Sequence, residues 1–158
     1  MESLMPFRYT GLDAGQFLGL FALSDAELAA RGIQRVTADK KPGFPCRVSL
    51  EDAAPGETLL LLPFEHQPAA SPYRSSGPIF VREKAAAPYD STHLPPVFAS
   101  RLLSVRAYDQ DGMMVDADIT EGAHAETLFT RLLTRDDVAY LHVHNAKRGC
   151  YAARVERA

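Results

Sequence analysis

The strongest limit on the fold comes from two alternating segments near the C-terminus, joined by a loop that ends in glycine. Apolar and polar side chains alternate over residues 103–108 and 113–119, which is the two-residue period of a half-buried strand. Residues 110–112, Gln-Asp-Gly, form a three-residue loop whose glycine takes the left-handed position that such hairpins favour. The pattern predicts a β-hairpin with matching apolar faces that places Arg106 directly opposite Asp116.

The segment that follows predicts a second hairpin. Alternation runs through residues 139–144 and 150–155, and the loop at 147–149 again ends in glycine. An odd-length loop is needed here, because a slip of one residue swaps the two faces of a strand. This register puts Tyr151 on the apolar face. It gathers five chemically active side chains on the polar face: Tyr140, His142, His144, Cys150 and Arg154.

Helical patterns occur in two parts of the chain. Apolar residues recur at helical spacing from Ala125 to Leu133 and predict an amphipathic helix around residues 123–134. Nearer the N-terminus, Asp13 and Ser24 are each followed three residues later by Gln or Glu, which predicts two short capped helices.

The remaining strands are short. Residues 7–10, 33–37, 58–62 and 78–82 read as strands, and residues 65–77 carry turn-forming side chains throughout. We therefore predict an α+β fold with a mostly antiparallel sheet. The two C-terminal hairpins form its centre, one amphipathic helix packs on it, and the two short N-terminal helices complete the fold.

Size and charge exclude several classes of protein. The chain has 158 residues, which predicts a single domain over residues 1–158. Its 17 basic and 20 acidic residues are too balanced for an electrostatic nucleic-acid binder or a polybasic membrane anchor. There is no secretory signal pattern and no long apolar run, and two cysteines do not make a disulfide framework. These features predict a cytoplasmic protein with free thiols.

The polar face of the second hairpin is the best candidate for chemistry. His142 and His144 are two residues apart on a strand, so their side chains point to the same side. Two imidazoles so placed can carry protons as catalytic groups, or they can bind a metal together with a cysteine. His66 and Cys46 are able to approach from loops. The alternative is that this face is an ordinary solvent-exposed sheet surface without a functional role.

Further polar residues predict a site for a small anionic ligand. Arg106, Asp116 and Tyr108 join the histidine face if both hairpins share one sheet, although a plain cross-strand ion pair also explains them. The segment at residues 71–78 offers a guanidinium and hydroxyls. The predicted ligand-binding residues are Arg106, Tyr108, Asp116, Arg154, Arg74 and Ser76.

Four stretches carry a family resemblance: KPGFPCRVSLEDAAPGE, SPYRSSGPIFVRE, RAYDQDGMMVDADI and YLHVHNAKRGCYAARVER. In this order, and over nearly the whole chain, they resemble the bacterial family known as domain of unknown function 1203. The resemblance implies a small stand-alone bacterial protein. It implies no activity and no catalytic residue.

Three functions remain open at this stage. The first is a small-molecule binding protein or uncharacterised enzyme with a His/Arg/Asp pocket on the sheet face. The second is a non-catalytic homodimeric interaction module, and the third is a metal-binding protein that uses His142, His144 and a cysteine. No cofactor is predicted, because the chain has no phosphate-binding glycine loop, nucleophile elbow or H-E-x-x-H motif.

Overall fold

Two antiparallel sheets and two α-helices form the framework of the computed structural model, which describes residues 6–158. The helices are α1, Asp25–Ala29, and α2, Ala125–Leu133. Short 3₁₀ turns cover Ala14–Gln16, Leu18–Ala22, Pro96–Phe98 and Gly122–His124. The strands are β1 Phe7–Thr10, β2 Gln34–Thr37, β3 Thr58–Gln67, β4 Ser75–Arg82, β5 Asp90–Ser91, β6 Leu102–Tyr108, β7 Met114–Glu121, β8 Tyr140–Asn145 and β9 Tyr151–Arg157.

The larger sheet has six strands in the order β5-β1-β9-β8-β6-β7. The two predicted hairpins, β6–β7 and β8–β9, lie side by side in it because β6 pairs with β8. The predicted α+β class, the antiparallel sheet and the position of both hairpins are therefore confirmed.

One face of this sheet packs on α2. The apolar stripe of the helix, including Phe129 and Leu132, is fully buried against Val105, Leu141 and Val155 of the strands. The helix begins two residues later than predicted, because a 3₁₀ turn occupies Gly122–His124. With the apolar face covered by α2, the alternating polar positions of the strands face the other way.

The smaller sheet was not predicted as a separate layer. Its order is β2-β3-β4, and it buries its own apolar cluster against the N-terminal 3₁₀ turns and α1. The predicted capping box of α1 is present: Ser24 Oγ accepts from the Glu27 amide and the Glu27 carboxylate accepts from the Ser24 amide. Gly32, at φ 73°, follows the helix.

The register predicted for the first hairpin is wrong beyond the turn. The three-residue loop is present, since the Asp109 amide donates to the Met113 carbonyl, and Gly112 has φ 77°. The register then shifts at Val115, which has no partner across the ladder. As a result Arg106 pairs with Ala117 and not with Asp116.

The same β-bulge turns Asp116 onto the face covered by α2. Its carboxylate binds Arg135 Nη1 at 3.1 Å and lies 3.8 Å from Arg131 Nη1, while Asp118 binds Arg131 Nη2 at 2.6 Å. Arg131 of α2 and Arg135, just beyond its end, thus neutralise the two acids at the edge of the sheet. The predicted placement of Asp116 on the histidine face is wrong, because its side chain lies on the opposite sheet surface.

The second hairpin keeps its predicted register over most of its length. Leu141, His142 and Val143 lie opposite Val155, Arg154 and Ala153. Close to the turn, however, His144 faces Tyr151, and Ala152 is the extra residue of a bulge. Tyr151 therefore lies on the polar face with the histidines, contrary to the prediction.

Strands β3 and β4 are longer than predicted and form a hairpin where turns were expected. The strand continues through Pro63 because β2 pairs only as far as Leu61, so that Pro63 has no neighbour on that side to which an amide would donate. Beyond Phe64 the register of the β3–β4 ladder shifts before Gln67, and His66 lies within this irregular stretch. Residues 6–158 contain no helix long and apolar enough to cross a membrane.

Candidate functional site

A cleft of about 280 Å³ lies between the polar face of the larger sheet and the far end of the β3–β4 hairpin. The hairpin reaches across this face, and Gln67 Nε2 donates to the Tyr140 hydroxyl at 3.0 Å. The side chains and backbone that line the cleft belong to His66, Ser75, Ser76, Gly77, Pro78, Arg106, His144, Arg148, Gly149, Cys150 and Tyr151. The polar face is thus partly covered by the strands of the β3–β4 hairpin.

Three histidines converge at the base of this region. One ring nitrogen from each of His66, His142 and His144 lies within 4.8 Å of the other two. The ring centroids of His66 are 6.4 Å from His142 and 5.0 Å from His144. His142 and His144 come from β8, and His66 comes from β3 of the other sheet. Packing of the two sheets therefore assembles the cluster.

His144 is held in one tautomer by the β8–β9 turn. Its Nδ1 donates to the carbonyl oxygen of Gly149 at 2.9 Å. In a neutral ring this leaves the lone pair on Nε2. That Nε2 is buried and has no hydrogen-bond partner among residues 6–158. A histidine that binds a metal through one ring nitrogen usually donates the N–H of its other ring nitrogen to a group such as a carbonyl.

The other two histidines also have an unsatisfied nitrogen. The Nδ1 atoms of His66 and His142 are both buried without a partner in the part of the chain that the structure describes. Burying a polar nitrogen without a hydrogen bond costs about 1–3 kcal/mol. A ligand bound to these three nitrogens would remove this free-energy cost of burying them without a partner.

Aromatic rings lock the histidines in place. Tyr151 stacks on His66 with an interplanar angle of 4° and a centroid distance of 5.4 Å. The Tyr151 ring also makes edge-on contacts with the other two imidazoles, with centroid distances of 5.1 Å to His142 and 5.7 Å to His144. Tyr108 and Tyr140 pack on the other side of His142, each at 5.2 Å. Such packing limits rotation of the imidazoles and keeps their nitrogens together.

All three histidines are electrically neutral at pH 7. Burial lowers the pKa of His142 to about 3, with help from the neighbouring His144 and Arg154. Burial also lowers the pKa of His144 to about 4, against the Gly149 hydrogen bond, which raises it. The pKa of His66 is lowered by burial and by Arg106. Neutral imidazole is the form that ligates metals, because its lone pair is free.

Cations surround the cluster. Arg106 lies directly across the ladder from His142, which in turn faces Arg154 on its other side. Arg154 forms an ion pair with Glu156 and packs over the Tyr140 ring at 4.1 Å. Arg47 is buried, and it donates to the carbonyls of Tyr151 and Pro45 at 2.5 Å each. Burial lowers the pKa of Arg47 to about 10, so that it remains charged at pH 7.

The residues proposed from the sequence are only partly brought together. Arg106, Tyr108, Arg154 and both histidines share the polar face, and Ser76 lines the cleft. Asp116 lies on the opposite sheet surface, and Arg74 is exposed and paired with Glu65 at 3.0 Å, outside the cleft lining.

The expected cysteine does not complete the histidine cluster. Cys46 is fully buried in the apolar cluster of the smaller sheet, where its Sγ accepts from the amides of Val48 and Arg82 at 3.4 Å. Cys150 lines the cleft, but the described residues that group as metal ligands are the three histidines alone.

Sequence reasoning missed two central members of the site. The sequence predicts a strand that ends at residue 62, before Pro63, and therefore places His66 in a loop, whereas β3 continues to Gln67. Tyr151 was placed on the wrong face because no local pattern marks the bulge at Ala152.

The fold and the site define an α+β protein with a buried three-histidine cluster at the base of a cationic cleft. Comparison with known sequences gives the family: residues 43–157 match the model of the family described as "Protein of unknown function (DUF1203)". The chain belongs to this family, as the sequence resemblance implied. No curated protein and no solved structure matches the chain. The bacterial origin and the cytoplasmic location stay predictions.

Proposed function

We propose that this protein binds a divalent transition-metal ion through His66, His142 and His144. The single observation that carries the proposal is the mutual approach of three ring nitrogens to within 4.8 Å. It is supported by the buried, unpartnered nitrogen on each ring. Binding of one cation to the three lone pairs would satisfy nitrogens that otherwise lose hydrogen bonds on burial.

The donor set indicates the class of metal. Three neutral imidazoles suit Zn²⁺, Cu²⁺, Ni²⁺ or Fe²⁺, whereas Ca²⁺ and Mg²⁺ prefer oxygen ligands. Three protein ligands are fewer than the four of a closed structural zinc site, and they leave a coordination position for a water or a small molecule. When bound, such a metal lowers the pKa of its water and polarises a coordinated oxygen. The surrounding tyrosines hold the histidine rings and exclude bulk water from them.

The predicted role of His142 and His144 as proton carriers fits the site less well. A general acid or base works best when its pKa is near the working pH. Burial takes both groups more than two units below their ordinary pKa of 6.5, to about 3 and about 4. At pH 7 neither ring carries the second proton that makes an imidazolium an acid, and both neutral rings are weak bases. The same burial leaves their lone pairs available to a metal.

A second candidate function is binding of a small anion without a metal. The observation in its favour is Arg106, which lines the cleft and makes no ion pair within residues 6–158. A half-buried guanidinium without a carboxylate attracts carboxylate or phosphate groups. The predicted homodimer stays a proposal, and light scattering at micromolar concentration tests it.

Metal analysis of untagged protein tests the main proposal. Metal-free protein titrated with Zn²⁺ or Co²⁺ should bind one equivalent per chain. Replacing any one of the three histidines with alanine should weaken binding by more than the 10–100-fold that loss of an outer hydrogen bond typically costs. His93→Ala and His124→Ala are matched controls, because both histidines are exposed and lie outside the cluster. They should bind as the parent protein does.

Two results would overturn the metal proposal. One is the absence of stoichiometric binding of Zn²⁺, Co²⁺, Ni²⁺, Cu²⁺ and Fe²⁺ at micromolar concentration. The other is unchanged affinity in a cluster variant whose circular dichroism and thermal unfolding show that it is folded. Binding of acetate or phosphate by protein that takes up no metal would select the second candidate instead.

A further inference from the structure

The cleft has an unbalanced positive charge. Its lining contains two arginines, Arg106 and Arg148, and contains no aspartate or glutamate. Neither arginine has a carboxylate within ion-pair distance in residues 6–158. Within the described part of the chain, the side chain of buried Arg47 bonds only carbonyl oxygens, one of them that of Tyr151 in the cleft lining. Among residues 6–158, the cleft lining thus offers no carboxylate to balance a positive ion that binds here.

A metal ion makes this imbalance larger. Three imidazoles add no negative charge, so a divalent ion in the cluster keeps both of its charges. Arg106 is the direct cross-strand neighbour of His142, and such neighbours have Cβ atoms about 4.5–5.5 Å apart. A guanidinium and a divalent ion held by neighbouring side chains repel each other, because both are positive. An anion from solution would relieve this repulsion and so favour binding of a metal at this site.

The open coordination position and Arg106 offer two points of attachment to the same ligand. A carboxylate or phosphate has several oxygens, so that one can bind the metal while another accepts from the guanidinium fork. Ser76 supplies a hydroxyl at the rim, and the volume of about 280 Å³ limits the ligand to a small molecule. Uncharged ligands would leave the arginine and the metal unpaired.

We infer that the cleft binds a small oxyanion, a carboxylate or a phosphate, that bridges the metal of the histidine cluster and Arg106. This inference rests on the proposed metal centre and names the ligand class of that same site. By linkage, the oxyanion and the metal strengthen each other's binding by the same factor. The metal affinity of this protein is accordingly set by the anion present.

Cobalt is the probe for the test, because its visible spectrum reports changes in coordination. Metal-free protein is titrated with Co²⁺ in three media of equal ionic strength, containing perchlorate, acetate or phosphate. Free Co²⁺ is corrected for complexation by each anion. We expect acetate or phosphate to raise the Co²⁺ affinity at least about tenfold and to change the spectrum of the bound ion. The medium with the larger effect identifies the ligand as a carboxylate or a phosphate.

Arg106→Gln separates the bridge from the metal site. It should bind Co²⁺ in perchlorate at least as well as the parent protein, because a repelling charge is gone, and it should lose most of the anion effect. Arg74→Gln is the matched control, since Arg74 is exposed and lies outside the cleft. It should keep the full anion effect. If Arg106→Gln does not fold, Arg148→Gln and the three-medium titration of the parent protein still test the charge argument.

The outcomes distinguish this inference from the proposed function. Co²⁺ binding that is equal in all three media refutes the bridging oxyanion and leaves the three-histidine centre standing. An anion effect that survives Arg106→Gln unchanged refutes the role of Arg106. Failure to bind Co²⁺ in every medium refutes both the oxyanion bridge and the metal centre.

Discussion

Replacement of Gly149 with alanine tests how the turn controls the site. Gly149 has φ 79°, in the left-handed region, and its carbonyl accepts the Nδ1 proton of His144 at 2.9 Å. A Cβ placed on this residue meets no heavy atom within 4 Å, so the substitution introduces backbone strain and no clash. The change therefore acts through the conformation of the turn alone.

The structure sets the expected size of the effect. A left-handed residue with a Cβ costs about 1–2 kcal/mol, and the stiffer unfolded chain offsets less than about 1 kcal/mol of this. We expect a net loss of about 1 kcal/mol in the free energy of unfolding, which lowers Tm by roughly 2–4 °C in a domain of this size. If the turn relaxes, the carbonyl moves away from His144. The affinity for Zn²⁺ should then fall by about 10-fold, the lower end for loss of an outer hydrogen bond.

Gly32→Ala is the matched control. Gly32 also has a left-handed φ, 73°, and a Cβ there also meets nothing within 4 Å. It follows α1, far along the chain from the histidines. Thermal unfolding should show a similar loss of stability in both variants, while isothermal titration with Zn²⁺ should show weaker binding only in Gly149→Ala. Equal Zn²⁺ affinity in two equally destabilised variants would refute the view that the Gly149 carbonyl positions His144.

Two further predictions concern buried ionisable groups. Asp52→Asn should lower the free energy of unfolding in urea by about 2–3 kcal/mol, because it breaks a buried pair in which both carboxylate oxygens bind Arg101, at 2.7 and 2.9 Å. Glu65→Gln, at an exposed pair, should cost less than about 1 kcal/mol. The free energy of unfolding of the metal-free protein should fall as pH falls. The folded pKa values of His142 and His144, about 3 and about 4, lie below the ordinary 6.5. The unfolded chain therefore takes up protons at a higher pH than the folded chain, which favours unfolding. Stability is complete above about pH 7, and at pH 5 each histidine should have cost about 2 kcal/mol.

Controls for these two predictions use the same urea measurements. A double variant, His142→Gln with His144→Gln, should lose most of the slope of stability between pH 7 and pH 5. A parent protein whose stability is flat over this range would contradict the burial of neutral imidazoles. If Asp52→Asn and Glu65→Gln lower the free energy of unfolding by the same amount, the larger contribution expected of the buried pair would be refuted.

Much of the fold follows from local patterns. The two-residue alternation of β6, β8 and β9 and the helical spacing of α2 depend only on neighbours in the chain, and so they are readable without coordinates. For the same reason His142 and His144 are certain to share a side, since strand geometry alone places residues i and i+2 together. The left-handed glycines of both hairpins are local as well.

The failures come from contacts between distant segments. The bulge at Val115 turns Asp116 towards Arg131 of α2 and Arg135 just beyond its end. No residue near Val115 indicates this contact with a helix that begins only at Ala125. The bulge at Ala152 likewise turns Tyr151 onto the histidine face. One extra residue on a strand moves each side chain beyond it to the opposite face of the sheet. A local bulge therefore changes which residues share a face.

From sequence alone one learns that this chain forms an antiparallel α+β domain with two histidines and two arginines on one sheet face. Only the tertiary structure reveals that His66, 76 positions before His142, completes the cluster and that Tyr151 stacks on it. The physical reason is that alternation within a strand is set by bonded neighbours. The approach of one sheet to another is set by the burial of both apolar clusters, which no single segment encodes.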